Sequence, residues 1–207
     1  MIQIFHKHLL STLATALIGS AAITAAGDTL AQHDQAGSFG VAGECDHWLD
    51  GRPESRVPPQ CRDLAGQLNQ LRQATSAFYS FDVANAAGWQ ATISECVESP
   101  MGGMGYHVAN LEELGDPDFA ATLSLLRPEV LLYAPTADGS MEFLGVEYIV
   151  PGPLSAEPPE ILGQPLQFNP TLDIWALHVW IGRDNPDGIF APFNPTVSCE
   201  FAPEPAE

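Results

Sequence analysis

Two segments of this chain, MEFLGVEYIVP at 141–151 and DIWALHVWIG at 173–182, constrain the fold more than any other feature. Both are rich in β-branched and aromatic residues and too short for a long helix, so they read as strands, in which successive side chains point to opposite faces. In the first, Leu144, Val146, Tyr148 and Val150 make one face, and Phe143, Gly145, Glu147 and Ile149 the other. In the second, Trp175, Leu177, Val179 and Ile181 oppose Ile174, Ala176, His178 and Trp180. Each strand thus has one clean core face and a second face that is apolar except for one ionisable residue at its centre. A solvated face would carry several polar residues. Both faces are therefore expected to be covered or to line a cavity.

The elements before these strands have a different period. From Arg62 onward Leu64, Leu68, Leu71, Thr75 and Phe78 recur at spacings of three and four, which predicts a helix, and DVANAAGW predicts a second one ending at Gly88. ATISECV and GYHVAN read as strands, DPDFAATLSLL as a helix or loop, EVLLYAP as a strand and TVSCEF as the last strand. Asp138-Gly139 within TADGS predicts a hairpin between its flanking strands. Helices first and then a run of strands imply an α+β fold, with the N-terminal helices packed on a mostly antiparallel sheet. The helix around Leu64–Phe78 is expected on the face of Leu144, Val146, Tyr148, Trp175, Leu177 and Val179.

Four cysteines fit an oxidising compartment. Cys45 and Cys61 bracket a Pro- and Arg-rich stretch and are expected to staple it locally, whereas Cys96 and Cys199 are expected to form a long-range clamp. If the first and last strands meet through that clamp, the sheet curls strongly or closes like a barrel. No pair has CxxC spacing, which argues against redox catalysis and a cysteine zinc site.

Lys7 and an apolar run from Leu9 to about Ala26, followed by small residues, read as a secretory signal peptide over 1–31. The expected organisation continues with a loose N-terminus and stapled loop over 32–61, then a single domain over 62–207. Export places the protein outside the cell or in a periplasm, with no membrane span once the signal is removed. Beyond the signal there is no lysine, and the formal net charge is −19. Phosphate would be repelled, so nucleic acid is not an expected partner.

The candidate site comes from the interrupted faces. His107 sits among small residues in SPMGGMGYHVAN, with Gly105 and Ala109 on its own side, so space is cleared around its ring. His107, Glu147 and His178 together supply two imidazoles and a carboxylate. That set suits a divalent metal ion with open positions, zinc of the hydrolase type or a non-haem iron centre, with copper a third candidate. To share one zinc-like ion the nearest nitrogens must come within roughly 3–4 Å. Met101 and Met104 could extend the set toward Cu(I), but they read better as gap-filling side chains. Glu147 has a competing reading as a structural ion pair with Arg183 or Arg127. Tyr106, Trp180 and Phe143 are candidate walls for an apolar small molecule. The loop GRDNPDGIFAPFNP reads as a packed connection rather than a lid.

The segments GGMGYH, PEVLLYAP, GVEYIVP and LHVWIGRDNPDGIFAPFNPTVSC together resemble a group of uncharacterised secreted bacterial proteins, over roughly Ala74 to Cys199. The resemblance implies export and one small domain, and it brings no activity or cofactor. Two function classes follow from the residues: a metal-binding domain, with or without catalysis, and a metal-free module for apolar or aromatic ligands. A structural or partner-binding protein of the envelope is the third. No GxSxG is present, which argues against Ser/His/Asp hydrolysis.

Overall fold

The computed structural model describes residues 44–49, 56–116 and 121–203. The expected signal peptide over 1–31 and residues 32–43 lie outside the described residues.

Helix α1 spans Arg62–Thr75 and buries Leu64, Ala65, Leu68, Leu71 and Thr75, the three-and-four spacing expected from the sequence. Asp63 in its first turn and Arg72 in its last suit the helix dipole. The Arg72 guanidinium also donates to the Leu49 carbonyl at 2.7 Å, tying the stapled segment to the helix. A 3-10 turn over Ser76–Tyr79 leads to α2, Phe81–Ala86. Cys45, Leu49, Val57 and Cys61 are buried in the same cluster as α1, so both ends of the stapled loop belong to the core.

The remaining elements are mostly strands: β1 Ala91–Thr92, β2 Val97–Ser99, β3 Gly102–Ala109, β4 Val130–Pro135, β5 Met141–Pro151, β6 Glu160–Ile161, β7 Gln164–Pro165, β8 Gln167–Asn169 and β9 Ile174–Val179. A short helix, α3, covers Leu111–Gly115. Seven strands form one antiparallel sheet in the order β1-β3-β4-β5-β9-β8, with β2 also on β3, and β6 and β7 pair separately. The β4–β5 hairpin forms as Asp138-Gly139 predicts, with Gly139 at φ 81° and Asp138 Oδ1 accepting from the Ser140 amide.

Three expectations need correction. The sheet is open, with β1 and β8 at its ends, so it is not a barrel. ATISECV is not one strand but two short ones separated by residues 93–96, and TVSCEF forms no strand. There Asn194 turns the chain, accepting from the Val197 amide through its carbonyl and from the Thr196 amide through its side chain, and Pro195 has no N–H to give a ladder. Both disulfides form as expected, Cys45–Cys61 and Cys96–Cys199, with Cα–Cα separations of 5.5 and 5.8 Å. The long-range bridge therefore joins the β1–β2 loop to an irregular C-terminal segment rather than closing the sheet. Of DPDFAATLSLL, residues 117–120 lie outside the described residues and the rest is irregular.

The core has two parts, one on each sheet face. Val108, Leu131, Tyr133, Phe143, Val146, Tyr148, Leu177 and Val179 share a cluster with Leu64, Leu68 and Leu71 of α1. Tyr133 adds a hydrogen bond from its hydroxyl to the Phe78 carbonyl at 2.7 Å. Ala109, Val130, Leu132, Leu144, Ile149, Trp180 and Val197 form the other cluster. Strict alternation places Leu144 with Val146, but the β4–β5 register shifts so that Leu132 pairs with Gly145 and Tyr133 with Phe143. Leu144 is the extra residue of a bulge, and the faces of everything before it in β5 are exchanged. This is why Phe143 packs toward the helices and Leu144 away from them.

Gly105 in β3 sits at φ +76°, and a Cβ there would collide with the Tyr133 carbonyl oxygen. The β2–β3 register is irregular at the same place. Gly105→Ala should cost about 2–4 kcal/mol through strain and the clash; chemical denaturation should show a reduced midpoint, and an unchanged midpoint would mean that β3 does not approach β4 as described. Removing the 103-residue bridge with Cys96→Ser/Cys199→Ser should cost about 2–5 kcal/mol. The loop-length argument makes it costlier than Cys45→Ser/Cys61→Ser, which urea unfolding of the two double variants can decide.

Candidate metal centre

The site is assembled on the sheet face away from α1. Glu147 of β5 pairs directly with His178 of β9, and with Val130 of β4 on its other side. Directly opposed residues of antiparallel strands share a face. His107 on β3 pairs with Leu132, so it reaches the pair across β4, one step along the ladder. Gly145, two residues before Glu147 in β5, lies where a Cβ would strike the Val179 carbonyl oxygen and crowd Trp180 Cα, which keeps β5 close to the chain leaving β9.

The three side chains converge. His107 Nε2 lies 3.4 Å from His178 Nε2, and the Glu147 oxygens lie 3.7 Å from His107 Nε2 and 3.6 Å from His178 Nε2. One ligand atom from each residue falls within 4.8 Å of the others, and all three residues are buried. The carboxylate–imidazole separations are long for hydrogen bonds. They are close to the roughly 3.3 Å separating two ligands on a tetrahedral ion with bonds of about 2.0–2.1 Å. Glu147 Oε2 is buried and has no hydrogen-bond partner within the protein, an expensive state for a carboxylate left alone.

The competing ion-pair reading of Glu147 does not hold. Arg183 pairs with Glu142 at 3.0 Å, and Arg127 pairs with Glu113. Burial, with repulsion from the nearby Glu129, raises Glu147 to about 8. Burial lowers His107 to about 4; burial and the neighbouring His107 lower His178 to about 3. The three groups are thus neutral at pH 7 as they stand, with imidazole lone pairs available to a ligand. Protonation of the two imidazoles, ordinarily near pH 6.5, is thus pushed to more acid pH. Glu129 lies behind this group, fully buried, accepting from the Ile149 amide at 3.1 Å through Oε2.

The support around the ligands was only partly legible beforehand. Ser94 Oγ lies 2.9 Å from His107 Nδ1 and accepts from the His107 amide at 3.2 Å. With Nδ1–H donating to Ser94, Nε2 presents its lone pair to the centre, the usual arrangement for a ligating histidine. Nothing in the sequence pattern singled out Ser94, because it lies in the break between two strands that read as one. Trp180 is beside the site, its indole stacked on the His178 ring at 6.0 Å between centroids and anchored by Nε1 donating to the Ala191 carbonyl at 2.6 Å. Tyr106 and Phe143 lie on the other face. Tyr106 pairs with Tyr133, and Phe143 packs against Tyr79 and Tyr133 in the helix-covered cluster.

A cavity of about 500 Å³ opens onto the three side chains, walled among others by Ile93, Met104, Ile149, Ile174 and Ala176. Met104 lines it and Met101 is exposed, so the two methionines do not act together. In the following loop Ile189, Phe190 and Ala191 are buried, with the Trp180 amide donating to the Ile189 carbonyl, while Asp184, Pro186, Asp187 and Pro192 are exposed.

Comparison with known proteins finds no matching family model, no matching curated protein and no matching solved structure.

The pKa displacement of Glu147 predicts a measurable linkage. In metal-free protein the folded state holds a proton on Glu147 between about pH 4.5 and 8 that the unfolded state releases. Glu147 by itself therefore contributes a loss of stability with rising pH through that window, by up to about 1.4 kcal/mol per unit, which His107 and His178, both lowered by burial, oppose below about pH 6.5. Glu147→Gln mimics the protonated form and does not titrate. Measured in chelator, its stability relative to wild type should rise from about pH 4.5 to about 8 and level off above. A pH-independent difference would show that Glu147 is not held protonated.

Proposed function

We propose that this protein binds a divalent transition-metal ion, zinc or iron(II) in type, through His107, Glu147 and His178, leaving open coordination positions toward the cavity. The observation carrying the reading is the convergence of two imidazole Nε2 atoms and an otherwise unpartnered buried carboxylate oxygen on one point. An ion there would replace Glu147's proton, satisfy Oε2 and relieve the cost of burying all three groups. Two imidazoles and one carboxylate form a known donor set both for hydrolytic zinc and for non-haem iron. When bound, such an ion polarises an oxygen function or acidifies a coordinated water.

Two disulfides support an oxidising compartment. With the N-terminal sequence, they support secretion or a periplasmic location. Among the described residues no helix is long and apolar enough to cross a membrane. The resemblance to secreted bacterial proteins agrees with this placement. The metal-free alternative, a binding module for apolar ligands, draws on the same cavity but leaves the Glu147 oxygen without a partner.

Elemental analysis of untagged protein, followed by titration of chelator-treated protein with zinc and iron(II), tests the reading. His178→Ala and Glu147→Gln should each weaken binding at least tenfold, and Ser94→Ala should weaken it by roughly ten- to a hundredfold, as loss of a supporting hydrogen bond does elsewhere. Glu142→Gln, in the β5 ion pair with Arg183, should not change it. Uptake that is insensitive to His178→Ala and Glu147→Gln, or absent altogether, would overturn the assignment.

A further inference from the structure

We propose that the cavity beside the His107/Glu147/His178 centre takes a small molecule with an apolar, uncharged body and a single oxygen head group that reaches the metal as a monoanion. This rests on the metal reading above and adds the chemistry of what the metal meets.

The body follows from the walls. Ile93, Met104, Ile149, Ile174, Ala176 and Pro192 are apolar, Ser94, Gln167 and Asn169 are polar but uncharged, and among the described residues no arginine or lysine lines the cavity. A carboxylate, phosphate or sulfate borne away from the metal would find no counter-charge. Arg183 and Arg127 are already paired with Glu142 and Glu113. A cationic ligand fares no better, because among the described residues Glu147 is the only acidic one lining the cavity, and it would serve the ion. The apolar lining also continues outward. Ile93, Phe168 and Leu172 are 48, 46 and 64% exposed, and all three line the same cavity. Large apolar side chains gathered at the mouth of an apolar pocket give an elongated ligand further surface to bury.

The head follows from charge. A divalent ion held by one carboxylate and two neutral imidazoles carries a net +1 in a poorly solvated place, of which the buried Glu129 behind the group can offset a part. One negative oxygen cancels it and two would overshoot, so the favoured heads are hydroxamate-, enolate- or phenolate-like groups. The volume of about 500 Å³ accommodates a head and a body of drug-fragment size.

The test compares acetohydroxamic and octanohydroxamic acid by calorimetry on zinc-loaded protein, with zinc content measured in the same samples. Octanohydroxamate should bind at least thirtyfold more tightly, since each buried methylene adds several-fold, and neither should bind chelator-treated protein comparably. Octyl phosphate, a dianion with a tail one methylene longer, should still bind at least tenfold more weakly than octanohydroxamate. Phe168→Ser/Leu172→Ser, both partly exposed and therefore compatible with folding, should shrink the chain-length preference at least fivefold. If zinc loads and the two hydroxamates bind alike, or octyl phosphate binds as well as octanohydroxamate, the ligand class is wrong while the metal centre stands. Equal octanohydroxamate binding with and without zinc overturns the head-group assignment. If neither zinc nor iron(II) loads, both readings fall.

Discussion

The desolvation of three polar side chains in one place governs the arrangement of the rest. A glutamate and two histidines are kept out of water on a sheet face that is otherwise apolar. Such groups cost free energy unless something completes their bonding. The sheet does not complete it: a Glu147 oxygen lacks a protein partner. The second apolar cluster, with Trp180 stacked on His178, lies on the face of this group, while α1 packs on the opposite face. α1 therefore stabilises the molecule on one side, and the donor group stands on the other.

Much of this was legible from alternation alone. Glu147 and His178 were assigned to one face because each interrupts an apolar row at its centre, and cross-strand pairing puts them side by side. The helix of Leu64, Leu68 and Leu71 and both disulfides were equally readable, since period and cysteine spacing are local signals. What alternation could not show was where it fails. One extra residue, Leu144, exchanges the faces of Phe143 and its neighbours, and that is enough to remove Phe143 from the cavity. Tyr106 was misplaced for a simpler reason: it precedes His107 on the same strand, so the two cannot share a side.

The C-terminal segment shows another limit. TVSCEF has the composition of a strand, yet Asn194 and Pro195 start a turn that leaves no ladder to join, and the disulfide holds the chain in an irregular path. Residues 93–96 break a promising strand in the same way, and Ser94 in that break orients His107. The positions that support the ligands lie where regular structure stops. Period-based reading is weakest there, because backbone hydrogen bonds pass to side chains instead of to a neighbouring strand.

The order of strands has a temporal side. β3, β4 and β5 follow one another in the chain and in the sheet, so His107 and Glu147 belong to a meander that short-range contacts can assemble early. His178 arrives on β9, after the separate β6–β7 hairpin and the edge strand β8 have been bypassed in sequence, and it must dock directly against β5. Until then the nascent sheet has only two of the three donors and an open flank at Glu147. A complete donor set thus exists only once the chain has closed its longest detour within the sheet, so an ion taken up there would report finished folding rather than nucleate it.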